Sequence, residues 1–343
     1  MFFLLSIVSL GLLLAIDLKP ASASSSQDSP FDAADKKTAL TPITALTTAE
    51  EVVNHPAFRG FGRLVLPLEG SRRPPSLPLK SALLQMLPYH NNVVPTLAVD
   101  VLNHMIAEVA AGRRIFYDLY TKNEKQAEPT RESTGLFFFE GRPGAPTAII
   151  CAGGGFQYVG SIHEGFPHAI ELSRRGYNAI VVKYRIDMEA IACEDLARAI
   201  SVAFLLTKVL NHSMEGYSLW GSSAGARVVA RLASDGTKRY RAPEYPKPSA
   251  VIMAYTGHSD LAIGDPPTFA VVGEDDAIAD PEVMRRRIRR LKAFGVDAEL
   301  HVFPDTRHGF GLGFGTPAEG WLDLAVAFWE RQLAAKPLSG PIP

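Results

Sequence analysis

From residue 134 onward, short apolar runs take turns with longer amphipathic stretches, and this alternation is the strongest constraint on what the chain can fold into. Residues 136–140, 147–152, 178–183, 217–220, 250–254, 268–272 and 298–303 read as strands. The stretches between them carry helical periodicity, as in 189–210, where Leu196, Ile200, Ala203 and Phe204 share one face. Further helices are expected over 164–174, from Gly221 to about 233, over 281–295 with Pro281 at the first position, and over 317–333. Strand, helix, strand in steady succession is the pattern of an α/β fold, a mostly parallel central sheet with helices on both faces.

The 343 residues, 47% of them hydrophobic, are enough for one such catalytic domain with decoration. Lys and Arg number 35 against 36 Asp and Glu, so no long-range field gathers polyanions and nucleic acid is not an expected partner. The basic run from Arg285 to Arg290 reads as the solvated face of a helix near its C-terminal end. Residues 2–16 are apolar but too short to span a bilayer, which takes ~20 residues. They precede Ala21-Ser22-Ala23, so 1–23 read as a secretory signal and the chain as exported to the periplasm or beyond. The lack of Lys or Arg ahead of the apolar run leaves an uncleaved N-terminal anchor as the alternative. Residues 24–130 form an N-terminal extension broken by Pro74, Pro75, Pro78, Pro88 and Pro95. It contains one clear helix, 96–111, stopped by Gly112, and is expected to pack on the catalytic domain and contribute to a cap over its site. The catalytic domain spans 131–336, and 337–343 form a proline-rich tail. Cys151 and Cys193, the two cysteines, read as small buried hydrophobes.

Chemistry concentrates in four short segments. Gly221-Ser222-Ser223-Ala224-Gly225 matches G-x-S-x-G between an expected strand and an expected helix, where a strained turn lifts a serine hydroxyl out of the sheet. A serine hydroxyl is a weak nucleophile without a base. His308 follows the last strand, at the strand end where α/β folds collect reacting groups, whereas His301 falls inside that strand and reads as structural. Glu274-Asp275-Asp276 follows another strand and supplies the acid that fixes the histidine tautomer; Asp276 is the first choice and Asp275 the second. The order Ser223, Asp276, His308 is the chain order this chemistry takes on such a sheet. Gly153-Gly154-Gly155 after an earlier strand lets backbone N–H groups approach an oxyanion, with Gly154, Gly155 and Ala224 as the expected donors. A phosphate loop is the competing reading of the glycines, but Tyr158 stands where the third glycine of G-x-G-x-x-G belongs.

These residues resemble the bacterial acetyl esterase and acetyl-xylan-esterase-like branch of the α/β-hydrolase superfamily, related to the hormone-sensitive-lipase-like group. The resemblance covers about residues 134–335 and is carried by Ala152–Phe156, Val182–Arg185, Gly221–Gly225 and Asp305–Phe310. It implies an α/β-hydrolase fold and a serine esterase with no metal or organic cofactor. It also implies a structural role for the pair Tyr184-Arg185. The lipase-like group has His before its three glycines; Ala152 here departs from that and points to acetyl or other short acyl esters, including those of carbohydrates. A prolyl-oligopeptidase-type peptidase and a hydrolase-like binding protein are the alternatives. The first lacks its long N-terminal region here, and the second would normally have lost a triad member. The first 130 residues carry no family pattern.

Overall fold

The computed structural model describes residues 40–69 and 73–335. The expected signal segment and the proline-rich tail lie outside these residues. Among the described residues no helix is long and apolar enough to cross a membrane.

The extension is more ordered than its prolines suggest. It contributes α1 (Ala49–Val53), α2 (Gly62–Val65), α3 (Leu79–Met86), α4 (Pro95–Ala110), the two-residue strand β1 (Phe116–Tyr117) and α5 (Lys122–Ala127). Short α1 and α5 each start on a reciprocal capping box, Thr48 with Glu51 and Thr121 with Glu124, which satisfies N–H groups that a helix of so few turns cannot. Pro95 opens α4, and Ala98, Val101, Leu102, Met105 and Ile106 form its buried stripe.

The remainder runs β2 (Gly135–Phe139), β3 (Pro146–Cys151), α6 (Ser161–Glu164), α7 (Phe166–Arg174), β4 (Asn178–Lys183), α8 (Glu189–Leu210), β5 (Ser213–Ser222), α9 (Ala224–Asp235), β6 (Ala250–Ala254), β7 (Thr268–Gly273), α10 (Pro281–Ala293), β8 (Ala298–Phe303) and α11 (Trp321–Ala335). The strands form one sheet in the order β1-β2-β4-β3-β5-β6-β7-β8. From β4 to β8 all neighbours are parallel, while β1 and β2 are antiparallel at one edge. Strands β4, β6 and β7 are buried at every residue, so both faces of the sheet are covered.

Three details differ from the sequence reading. The helix expected over 164–174 begins at Phe166 as α7, after a separate short α6 that ends at the buried Glu164; Gly165 between them packs so close to Val181 that a Cβ there would lie 2.7 Å from its Cγ1. The closing helix starts at Trp321 rather than 317, since Gly320 takes φ +87°, which a helix does not allow. The basic run on α10 is not wholly solvated: Arg287 is buried with its guanidinium 3.4 Å from Asp265.

No seam in the packing marks residue 131. β1 pairs with β2, α4 packs on α6 and α7, and one apolar cluster runs from Ile43 to Trp329. The buried ion pair of Glu69 with Lys183 of β4 joins the extension to the sheet. Arg185 does so again, gripping Asp195 of α8 with Nη2 at 2.8 Å while pairing with Glu128.

Candidate active site

The chain leaves the central strand β3 toward β4 on one side and later returns to its other side as β5. At such a switch point two loops diverge from neighbouring C-terminal strand ends and open a crevice. The loop after β3 is Ala152–Phe156 and the turn after β5 holds Ser223.

Ser223 has φ +50° and ψ −117°, a conformation a residue with a side chain adopts only when its surroundings force it. The forcing is visible in its glycine neighbours. A Cβ on Gly221 would stand 2.5 Å from the Gly225 carbonyl oxygen, and one on Gly225 would stand 2.0 Å from that of Cys151. The turn therefore closes only with hydrogen at both positions, and α9 starts directly behind the serine.

His308 Nε2 lies 2.9 Å from Ser223 Oγ, and His308 Nδ1 lies 2.7 Å from Asp276 Oδ2. With the carboxylate as acceptor, Nδ1 carries the proton and Nε2 is left to accept from the serine hydroxyl. Asp276 is itself held: its Oδ1 accepts the N–H groups of Ile278 at 2.9 Å and Ala279 at 2.7 Å. Both His308 and Asp276 are buried, whereas Asp275 and Glu274 point to solvent, so of the two candidate acids only Asp276 faces the imidazole. His301 stays in β8 with its ring against Phe269.

The glycine loop passes beside Ser223. A Cβ on Gly153 would lie 2.7 Å from Ser223 Cβ, and one on Gly154, at φ +136°, would meet the Tyr158 carbonyl oxygen at 2.2 Å. The loop's carbonyls are occupied elsewhere: Gly153 O accepts Gly160 N–H at 2.8 Å and Gly154 O accepts Gln157 N–H at 3.0 Å. Tyr184 Oη donates to the Ala152 carbonyl at 2.5 Å, which gives half of the Tyr-Arg pair a place in the site's support. Gly154, Gly155 and Ala224 thus sit on the two loops that flank Ser223.

Sequence reasoning missed the residues that brace this centre. Asn91, from the extension, donates to the His308 carbonyl from its backbone at 3.2 Å and from its side-chain amide at 2.7 Å. Tyr255 packs edge-on against the His308 ring, with centroids 5.2 Å apart. Tyr89 lies against Gly155 of the glycine loop, and His90 against Gly160 a few residues beyond it. No local pattern announces them, because each acts on a partner distant in the chain. Beneath the site, burial holds the imidazoles of His163 and His168 at about 4, His90 adding to the effect on His163. Both are neutral near pH 7.

No family model matches the sequence, and no curated protein matches it. Solved structures do. An α/β hydrolase from a Medee basin deep-sea metagenome library is 20% identical with a TM-score of 0.52, over 59% of this chain and 93% of that one. An acetyl ester-xyloside bifunctional hydrolase from Caldicellulosiruptor lactoaceticus is 23% identical with a TM-score of 0.55, over 63% of this chain and 95% of that one. Esterase 2 of Thermogutta terrifontis, in a form phosphorylated by paraoxon, is 20% identical with a TM-score of 0.51, over 58% and 88%. This chain has the α/β-hydrolase fold.

Proposed function

We propose that this protein is a serine ester hydrolase for short acyl groups, acetyl foremost, with carbohydrate esters as the substrate class. The observation that carries the reading is the unbroken line from Ser223 Oγ through both nitrogens of His308 to Asp276, set on a strained elbow beside a triple-glycine loop. Ser223 Oγ attacks the ester carbonyl as His308 Nε2 takes its proton, and the Asp276 carboxylate stabilises the imidazolium that results. Negative charge grows on the carbonyl oxygen, where the N–H groups of Gly154, Gly155 and Ala224 receive it. Collapse expels the alcohol with the proton from His308, leaving an acyl group on Ser223; water, deprotonated by the same imidazole, then releases the acid.

Two observations support the substrate class. Ala152 stands where the lipase-like group has His. Tyr89, 41% exposed beside Gly155 and stacked on Tyr158, puts aromatic surface near Ser223 of the kind that packs against sugar rings. The structural neighbour from Caldicellulosiruptor acts on acetyl esters and xylosides by its description, and the Thermogutta enzyme is phosphorylated by paraoxon, a reagent for activated nucleophiles. The N-terminal apolar run and Ala21-Ser22-Ala23 support export.

Hydrolysis of p-nitrophenyl esters tests the reading. Acetate is expected to exceed octanoate in kcat/KM, with acetylated xylan also deacetylated. Ser223→Ala is expected to lower kcat by about 10⁵- to 10⁶-fold, since members of such a unit fail together. Activity within about tenfold of wild type in that variant would overturn the assignment.

A further inference from the structure

A second histidine–carboxylate pair lies behind the glycine loop, and no step of the reaction uses it. Glu164, at the end of α6, is 1% exposed. Its Oε2 accepts the Gly153 N–H at 2.7 Å. Its Oε1 stands 3.0 Å from Nε2 of His90, a residue of the extension. His90 Nδ1 lies 3.0 Å from Tyr158 Oη, and that oxygen accepts the Tyr89 N–H at 3.2 Å.

Tyr158 Oη meets His90 Nδ1 and the Gly153 N–H fills Glu164 Oε2, while His90 Nε2 and Glu164 Oε1 face each other at 3.0 Å without the alignment of a hydrogen bond. Burial alone would raise the Glu164 carboxyl, but His90 beside Oε1 and the Gly153 N–H at Oε2 outweigh it and hold it below the ordinary carboxylate range. It is therefore an anion at working pH. A buried carboxylate is costly where an apolar side chain would pack as well, so its retention calls for a use. The use is at hand, because the residue it grips is the one whose Cβ, if present, would touch Ser223.

We propose that Glu164 and His90 form the positioning pair of the oxyanion loop, fixing Gly153 so that the N–H groups of Gly154 and Gly155 meet the developing charge. The proposal rests on the serine-hydrolase reading above. It makes His90, from the extension, part of the machinery that sets the rate: loss of either partner lets the loop drift, and a misplacement of about 1 Å costs on the order of 10²-fold.

Glu164→Gln, His90→Ala and His90→Gln in the full chain test it, with p-nitrophenyl acetate as substrate and a trifluoromethyl ketone as an oxyanion-forming inhibitor. Active serines are counted with a fluorophosphonate. Glu164→Gln and His90→Ala are expected to lower kcat per active serine by about 30- to 300-fold with KM changed less than about threefold, and to weaken the ketone by the same factor. His90→Gln keeps an N–H donor toward Glu164 and is expected to recover to within about fivefold of wild type. A purely structural pair would instead lower the melting temperature and the number of titratable serines while leaving kcat per serine and ketone affinity within about twofold, and that outcome overturns the proposal. If Ser223→Ala is inert while the pair variants are unimpaired, this proposal falls alone. If Ser223→Ala stays active, it falls together with the reading on which it rests.

Discussion

The sheet region and the extension reach the same candidate site by different routes. In the sheet region, each candidate catalytic residue sits just beyond a strand end: Ser223 directly follows β5, Asp276 lies three residues past β7, and His308 lies five past β8. The parallel sheet places those ends side by side, so local spacing is enough to bring the groups together. In the extension, the residues that matter touch partners remote in sequence. Asn91 reaches His308 across 217 positions, and Glu69 reaches Lys183 across 114. The candidate triad lies at the sheet's strand ends, and a segment that carries no motif is bonded to it.

The comparison can be broken at several points, the largest effect first. Asp276→Asn is expected to lower kcat on p-nitrophenyl acetate by about 10⁴-fold by favouring the wrong tautomer of His308, with the melting temperature nearly unchanged. Asp275→Asn, at an exposed position, serves as the control and is expected to stay within about twofold; equal losses would make the acid assignment wrong. Glu69→Ala tests the extension. It leaves the Lys183 ammonium buried with only the Val159 carbonyl at 3.1 Å, and is expected to cost ~3 kcal/mol in urea unfolding. An unchanged midpoint would mean that the extension is a loose cover.

Acid provides the gentlest probe, where His163 donates its Nε2–H to the Gly309 carbonyl and packs against His90. His163 and His168 are held at about 4 in the folded protein, below their unfolded value of about 6.5, so falling pH protonates the unfolded chain first. Their contribution is full above about pH 6.5 and is lost between there and about 4, by up to ~1.4 kcal/mol per pH unit for each histidine. Urea midpoints at pH 7.5 and 5.5 check this; a flat profile would contradict the burial of these rings.

The central strands β4, β6 and β7 were legible as apolar runs, because a strand covered on both faces leaves no polar face to blur it; the first half of β5, Ser213–Gly216, carries no such run and was not read as strand. The elbow and the glycine loop were legible for a steric reason, since only glycine fits at Gly221, Gly225 and Gly154. Asp276 over Asp275 was a matter of offset, and the structure shows why it decides: one carboxylate turns in and its neighbour turns out. Helix ends were less legible where a single glycine stands at them, as at Gly165 and Gly320. The extension's small helices were hidden because capping boxes and a few buried side chains make them, not long periodicity. His90, Asn91 and Glu164 could not be read at all, because their roles exist only once the chain has brought distant segments together.

The central claim is that the hydroxyl at Ser223 is activated by its surroundings, and the mass of the intact protein after exposure to a fluorophosphonate tests it most directly. The account predicts one adduct per chain, mapped to Ser223 and absent from both Ser223→Ala and His308→Ala. An unmodified wild-type protein, or an adduct on another residue that survives Ser223→Ala, would contradict it.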